Sequence, residues 1–341
     1  MCRLARAAPG WAESDVGPAE LGIEVTPGQL RIARRRAAAR RRVARGQRRE
    51  ARRRGIRILV RGRGGYPPAL EDLELPPPVL YLRGEIPDRP AVAVVGSRAA
   101  DPYGLETAER FAAELAASGL TVVSGFARGV DQAAHRGALG VDGGRTVAVL
   151  GCGLDRDYPV GSRELADSIS RAGAVLTEFP PGAAPRPQNF PVRNRIIAAL
   201  AVGTLVVRAT VRSGSLITAR LALELGRDVY AVPGAIFDER ARGANLLIRD
   251  GALLAQCPRD VLESLPLAVR DRLTPPREGR GEEGAGRDPV LRHLRRGEPL
   301  DPETLARRAG VPLPELLGRL AELEIAGRVR RYAGPRFGRR G

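Results

Sequence analysis

The nonamer Asn189-Phe190-Pro191-Val192-Arg193-Asn194-Arg195-Ile196-Ile197 sets one aromatic ring and two guanidinium groups around a proline, just ahead of an apolar helix start. These residue types offer binding chemistry. Guanidinium forks match phosphate oxygens, and a Phe face accepts any nucleobase by stacking. No proton-transfer group stands beside them. Three glycine-containing loops carry complementary groups. Gly96-Ser97-Arg98 follows an apolar run and precedes a helix opening at Tyr103-Gly104, so a closely approachable backbone, a hydroxyl donor and a charge meet near a helix N-terminus. Ser124-Gly125-Phe126-Ala127-Arg128-Gly129 runs into a second helix. Ser213-Gly214-Ser215 opens a third, where amides of small residues suit an anion nest. The expected rim comprises Gly96, Ser97, Arg98, Ser124, Gly125, Arg128, Phe190, Arg193, Asn194, Arg195, Ser213, Gly214 and Ser215. Such a rim grips a phosphodiester chain and is poorly equipped to cut one, because no acidic cluster for a divalent cation accompanies it.

Other chemistries fail on their own patterns. The loop after the first strand lacks G-x-G-x-x-G, the second strand ends in Ser124-Gly125 where a ribose-binding acid is wanted, and Gly151-Cys152-Gly153 lacks a third glycine, so a nicotinamide cofactor is not expected. Asp131 and His135 stand i, i+4 on one helix face as a conceivable acid–base pair. Without a third ligand or a nucleophile, the spacing reads as an Asp near a positive helix end and a histidine hydrogen-bonded inside the fold. Ser213 and Ser215 lack G-x-S-x-G and a partnered base. Cys2, Cys152 and Cys257 lie far apart and His135 and His293 are isolated, so neither a zinc site nor a disulfide framework is readable. The expected cofactor and metal are none.

The elements that must position these loops follow from periodicity. Apolar β-branched runs at 91–95, 120–123, 146–150, 174–177, 203–207 and 228–232 alternate with amphipathic segments at 104–117, 129–139, 162–171, 192–200, 215–225 and 258–264. Strands apolar throughout and separated by helices predict an α/β domain with a mostly parallel sheet covered on both faces, whose ligands sit at the carboxyl ends of the strands. Pro233-Gly234 and Gly243-Ala244-Asn245 are expected to close two further loops on that edge. Short strands are expected at 56–60 and 79–82. Residues 266–287, rich in Pro, Gly, Arg and Glu, read as a linker. Helical segments at 288–296, 302–309 and 312–326, then a hairpin over 328–337, predict a C-terminal winged helix within 288–338. Its last helix carries Glu315, Glu322 and Glu324 against Arg319, an unfavourable groove reader, and a weak duplex contact is left to Arg328, Arg330 and Arg331 in the wing.

The net charge of +17 over 341 residues is unevenly placed. Residues 1–65 hold 18 Arg against 5 acids, whereas residues 91–265 hold 19 against 18, so any anion site in the middle must be built by local clustering. All the basic residues are Arg, a composition read first as genomic base bias. Residues 1–55 are expected to be an arginine-rich arm, helical over 28–54 or disordered. With no apolar run of membrane length and no h-region after the N-terminal arginines, neither insertion nor export is expected, and the cytoplasm is the expected location.

Gly96-Ser97-Arg98, Ser124 to Asp131 with Ala134-His135, Thr146 to Gly153, Tyr158-Pro159, Glu178-Phe179-Pro180, Asn189 to Ile197, Ser213 to Arg220 and Ala231 to Gly234 resemble, in order and spacing, the DNA-processing protein A (DprA/Smf) family across residues 56–265, and the C-terminal winged helix extends the match. The resemblance implies an extended Rossmann-like domain that binds single-stranded DNA without catalysis, self-associates as a homodimer, and loads the recombinase RecA onto incoming strands in natural transformation. It implies a DNA pocket at Arg98, Phe190, Arg193, Arg195 and the Ser213–Ser215 loop. Arg208 stands where relatives often have Glu, and Gly161 where they have Asn. The N-terminal helical domain of many relatives is not legible in residues 1–55. A nucleotide phosphoribohydrolase or nucleotide sensor is the rival, weakened because its Pro-Gly-Gly-x-Gly-Thr loop is absent and Glu224 is the only acid near Ser213–Leu216.

Overall fold

The computed structural model describes residues 27–273, 288–294, 299–325, 328–332 and 334–339, in two compact units that divide after Ile58. The first contains α1 (Pro27–Arg53), a 27-residue helix ended by Gly55. With φ +63 at Gly55, the Ile56 amide reaches the Ala51 carbonyl and the Gly55 amide that of Arg52, a Schellman-type stop.

The second unit is doubly wound. After β1 (Arg57–Val60), which spans the division, come β2 (Val79–Gly84), β3 (Ala91–Gly96), α2 (Pro102–Ala117), β4 (Thr121–Ser124), α3 (Val130–Leu139), β5 (Arg145–Val149), α4 (Arg163–Ala172), β6 (Ala174–Thr177), α5 (Asn189–Leu200), β7 (Gly203–Val207), α6 (Ser215–Glu224), β8 (Asp228–Ala231), α7 (Glu239–Arg249), β9 (Leu253–Leu254), α8 (Pro258–Ser264) and α9 (Leu267–Arg270). The sheet order is β1-β2-β6-β5-β4-β3-β7-β8-β9, parallel from β6 to β9, with β2 antiparallel to β6. Winding proceeds outward from β3 in one direction through β4, β5 and β6, then reverses through β7 and β8. The reversal places a topological switch point between β3 and β7, where the crevice of an open α/β sheet lies.

Period-two alternation sorts the central strands between two apolar layers. Ala91, Ala93 and Val95 of β3 pack with Ile196 and Ile197 of α5 and Ala219 and Ala222 of α6. Val92 and Val94 face the other way, against Phe111 and Leu115 of α2 and Ala134 and Ala138 of α3. Both faces being covered explains why these strands read as unbroken apolar runs.

Three expectations are corrected. Gly243-Ala244-Asn245 does not close a loop; it lies within α7, where the absence of a Cβ lets the Gly243 amide reach the Ala209 carbonyl at 2.7 Å. Asn245 then brackets the preceding loop through Gly234, accepting from its amide at 3.1 Å and donating to its carbonyl at 2.9 Å. The packed chain also continues past 266: α9 forms, and Val269 and Leu273 pack against the second apolar layer, while 274–287 fall outside the described residues. In the C-terminal region the segment expected to be helical over 288–296 shows only a 3-10 turn at Leu291–His293, and 295–298 are not among the described residues.

That region otherwise forms α10 (Pro302–Ala309), α11 (Leu313–Ile325) and an antiparallel hairpin of β10 (Val329–Tyr332) and β11 (Arg336–Arg339), closed around Leu291, Leu305, Leu316, Leu320 and Phe337. It is a winged helix. Arg319, the lone arginine of α11, is held at 2.6 Å by both Asp288 and Glu322. In the wing, Arg330 pairs with Glu109 and Arg331 with Glu324. No helix among the described residues is long and apolar enough to cross a membrane.

Candidate nucleic-acid interface

The switch point is made tight by glycine. A Cβ on Gly96 would collide with the Val207 carbonyl of the neighbouring strand, and one on Gly129 with the Ser97 and Arg98 carbonyls. Those contacts bring the β3 loop against the start of α3, with the Val130 amide bonded to the Ser97 carbonyl at 3.2 Å and the Ser97 amide to that of Arg208 at 2.8 Å. Arg98 and Arg128 both project from this junction as exposed side chains.

Phe190 meets Arg98 at the lip. The Arg98 guanidinium carbon lies 4.8 Å from the ring centroid, a cation–π contact. Tyr158 stands on the same ring at 5.6 Å between centroids, tilted by 32°. The first turn of α5 is pinned by Asn189, whose Nδ2 donates to the carbonyls of Gly151 at 3.0 Å and Ala184 at 3.2 Å. Gly151 is bare because a Cβ there would stand 2.8 Å from the Phe190 ring. Tyr158 and Asn189 were not among the expected site residues. Both lie in motifs the sequence displays, and an aromatic ahead of a proline in a loop after a parallel strand was the available signal.

Arg193 lies inside. Only 3 % exposed, it donates to the carbonyls of Gly125 and Val149, tying the β4 and β5 loops together. A Cβ on Gly125 would clash with its Nη1 and stand 2.7 Å from the Asp131 carboxylate. Burial pushes the Arg193 pKa down to about 10, against the pull of Asp131. Burial likewise raises that of Asp131, opposed chiefly by the Arg193 charge. Arg193 is thus an internal strut beneath the lip.

Arg195 does not reach the lip either. At about 100° per residue it sits about 140° around α5 from Phe190, and its Nη2 is 2.7 Å from Glu178 Oε2, both side chains largely buried. Ser124 is fully buried and donates to the Val94 carbonyl at 2.6 Å. Asn194 is buried and reaches the Gly214 carbonyl at 3.3 Å, supporting the β7 loop from below. The anion nest expected there is largely satisfied internally: Ser213 and Ser215 hydroxyls bond each other at 2.8 Å, and the amides of Ser213, Leu216 and Ile217 already have carbonyl partners in the turn. Ser97 keeps its hydroxyl for the Ala99 amide. Of the expected set, Arg98 and Phe190 are in direct contact, Gly96 and Ser97 lead into Arg98, and Arg128 is exposed next to Gly129, which backs onto the Ser97 and Arg98 carbonyls. Gly125 and Arg193 are packed together inside, Asn194 supports Gly214, and Arg195 turns to Glu178. Arg208 is a further buried strut, at 2.5 Å from Asp101 and 2.9 Å from Asp238.

His135 is fully buried, with Nδ1 at 2.7 Å from the Thr146 hydroxyl, and burial pushes its pKa down to about 3. The unfolded chain takes up a proton near 6.5 that the folded state refuses until about 3. Stability therefore falls as pH drops through that window. His135→Gln, able to keep a bond to Thr146, should flatten the decline by roughly 2–3 kcal/mol between pH 7 and 4.5, measured as urea unfolding at each pH. Parallel pH curves for the two proteins would refute this origin.

A doubly wound, mostly parallel sheet followed by a winged helix defines a Rossmann-like protein with a C-terminal winged-helix domain. Comparison makes the class specific: residues 57–266 match the family described as DNA recombination-mediator protein A, and 274–335 match the DprA winged helix domain. The chain belongs to the DNA recombination-mediator protein A family. It is 40% identical to the Smf protein of Escherichia coli over 279 residues, 79% of this chain and 74% of that one. It is 45% identical to the DNA processing protein DprA of Streptococcus pneumoniae over 199 residues, 58% of this chain and 70% of that one. The X-ray structure of S. pneumoniae DprA superimposes with a TM-score of 0.59 at 42% identity, covering 62% of this chain and 75% of that chain. Helicobacter pylori DNA processing protein A, whose structure is described as revealing a unique single-stranded DNA binding mode, matches with a TM-score of 0.56 at 29% identity over 62% of this chain and 97% of that one.

Proposed function

We propose that the lip formed by Arg98, Phe190, Tyr158 and Arg128 binds single-stranded DNA, and that the protein acts as a recombination mediator, handing the bound strand to a RecA-type recombinase as a homodimer in the cytoplasm. The observation that carries the reading is the Arg98 guanidinium seated 4.8 Å over the Phe190 ring at the switch-point crevice. Support comes from the single-stranded DNA binding described for the H. pylori relative. Arg98 covers one ring face in the free protein. A strand engages as the guanidinium swings from the ring to a phosphate, opening that face to a base. Phosphate contacts then supply affinity that falls with salt, and stacking supplies the preference for unpaired bases. The enzyme alternative gains nothing from the structure, since Glu224 closes the far end of α6, about 14 Å along the axis from Ser215.

The test is a polarisation titration of single-stranded oligonucleotides across salt concentrations. Arg98→Ala should weaken binding and lower the slope of log affinity against log salt by about 0.7, one phosphate contact. Arg195→Ala should bind as wild type, because its partner is Glu178. Wild-type affinity and slope in Arg98→Ala would refute this site.

A further inference from the structure

The first unit holds a second cationic feature. Arg45, Arg48, Arg49 and Arg52 recur at i, i+3, i+4 and i+7 along one stripe of α1. They form one wall of a groove of about 640 Å³, whose other wall is the Gly55–Ile58 segment, folded back by the Gly55 turn. All four arginines are exposed. The only carboxylate on α1, Glu50, is taken by Arg53 and Arg54. Among the described residues, no carboxylate pairs with any of the four. A helix that holds four like charges side by side pays for their mutual repulsion, and a polyanion in the groove would relieve it. The stripe is about 10 Å long, the rise of roughly three phosphates along one strand of B-form DNA at about 3.4 Å each. The groove walls are Arg, Gly and Ile, with no ring on which a base could stack.

We propose that this groove is a second nucleic-acid site, one that holds the phosphodiester backbone through Arg45, Arg48, Arg49 and Arg52 without reading bases. It differs from the lip in kind. Lacking an aromatic face, it takes duplex and single strand alike, whereas the lip requires unpaired bases. The two sites fail separately.

The test uses the full chain with a short duplex and a single-stranded oligonucleotide of equal length. Changing the four arginines to Ala, the best helix former, should lower the duplex salt slope by about 3–4 and the single-strand slope by about 3. The same four changed to Lys should keep slopes close to wild type, since charge is what matters. Phe190→Ala should leave duplex binding unchanged. A matched control, Arg31, Arg35, Arg41 and Arg42 to Ala, removes equal charge from elsewhere on α1 and should lower the slopes less. Three results would overturn the groove: unchanged duplex affinity and slope in the Ala variant, an equal drop in the control, or polyglutamate of matched charge competing as well as DNA. Weakened single-strand binding in Phe190→Ala beside an unaffected duplex slope in the groove variant would retain the lip and discard the groove.

Discussion

Arg193→Met is expected to destabilise the fold by about 3–5 kcal/mol, the range for removing one partner of a buried charged group. Two costs combine. The carbonyls of Gly125 and Val149 lose their donor at a buried site, and the Asp131 carboxylate, only 6 % exposed, loses the nearest charge that favours its ionised form. The second cost has a pH signature. Asp131 already has a raised pKa, and without Arg193 it rises further. A carboxyl with a raised folded pKa stabilises the fold below the unfolded value near 3.9, and that stability is lost as pH climbs through the folded value. The deficit of Arg193→Met should therefore widen from acid toward neutral pH, and adding Asp131→Asn should shrink it at neutral pH. Chemical denaturation of the single and double variants at pH 4.5 and 7 reads both effects. A deficit below about 1 kcal/mol, or one that narrows with pH, would show that Arg193 is not the strut described.

Phe190→Ala is expected to weaken single-strand binding roughly 5- to 150-fold, the equivalent of about 1–3 kcal/mol for a stacked base. The loss should come with an unchanged salt slope, because no phosphate contact is removed. Tyr158→Ala should show a smaller loss, since its ring supports Phe190 at 5.6 Å. Phe190→Trp should keep most of the affinity by restoring a broad face. Phe190 is half-buried, so thermal unfolding of each variant accompanies the titration. A stable Phe190→Ala protein that binds unpaired strands like wild type would remove stacking from the account and leave Arg98 and Arg128 as a purely electrostatic grip.

The α/β class and most elements were legible because the central strands are buried on both faces and their few polar residues, such as Thr121, Ser124, Thr177 and Thr204, stand at or next to strand ends. α7 was missed because Gly243 reads as a breaker. Its missing Cβ answers instead to a close approach of the Ala209 and Thr210 carbonyls, a constraint from a segment more than thirty residues away. The short β9, two residues long, has no period to detect.

The roles of the three key arginines divide along the same line. The sequence by itself determined that phosphate-matching forks, a ring and glycine loops fall at the carboxyl ends of parallel strands, since residue type and alternation carry that information locally. Only the tertiary structure decided which forks face outward. Arg98 reaches the Phe190 ring because the β3 loop is clamped at the switch point. Arg193 turns inward because two loop carbonyls from β4 and β5 await a donor there, and Arg195 is carried around α5 to Glu178. Side-chain direction is set by the screw of a helix against neighbours far away in the chain, and nothing within the nonamer records where those neighbours stand.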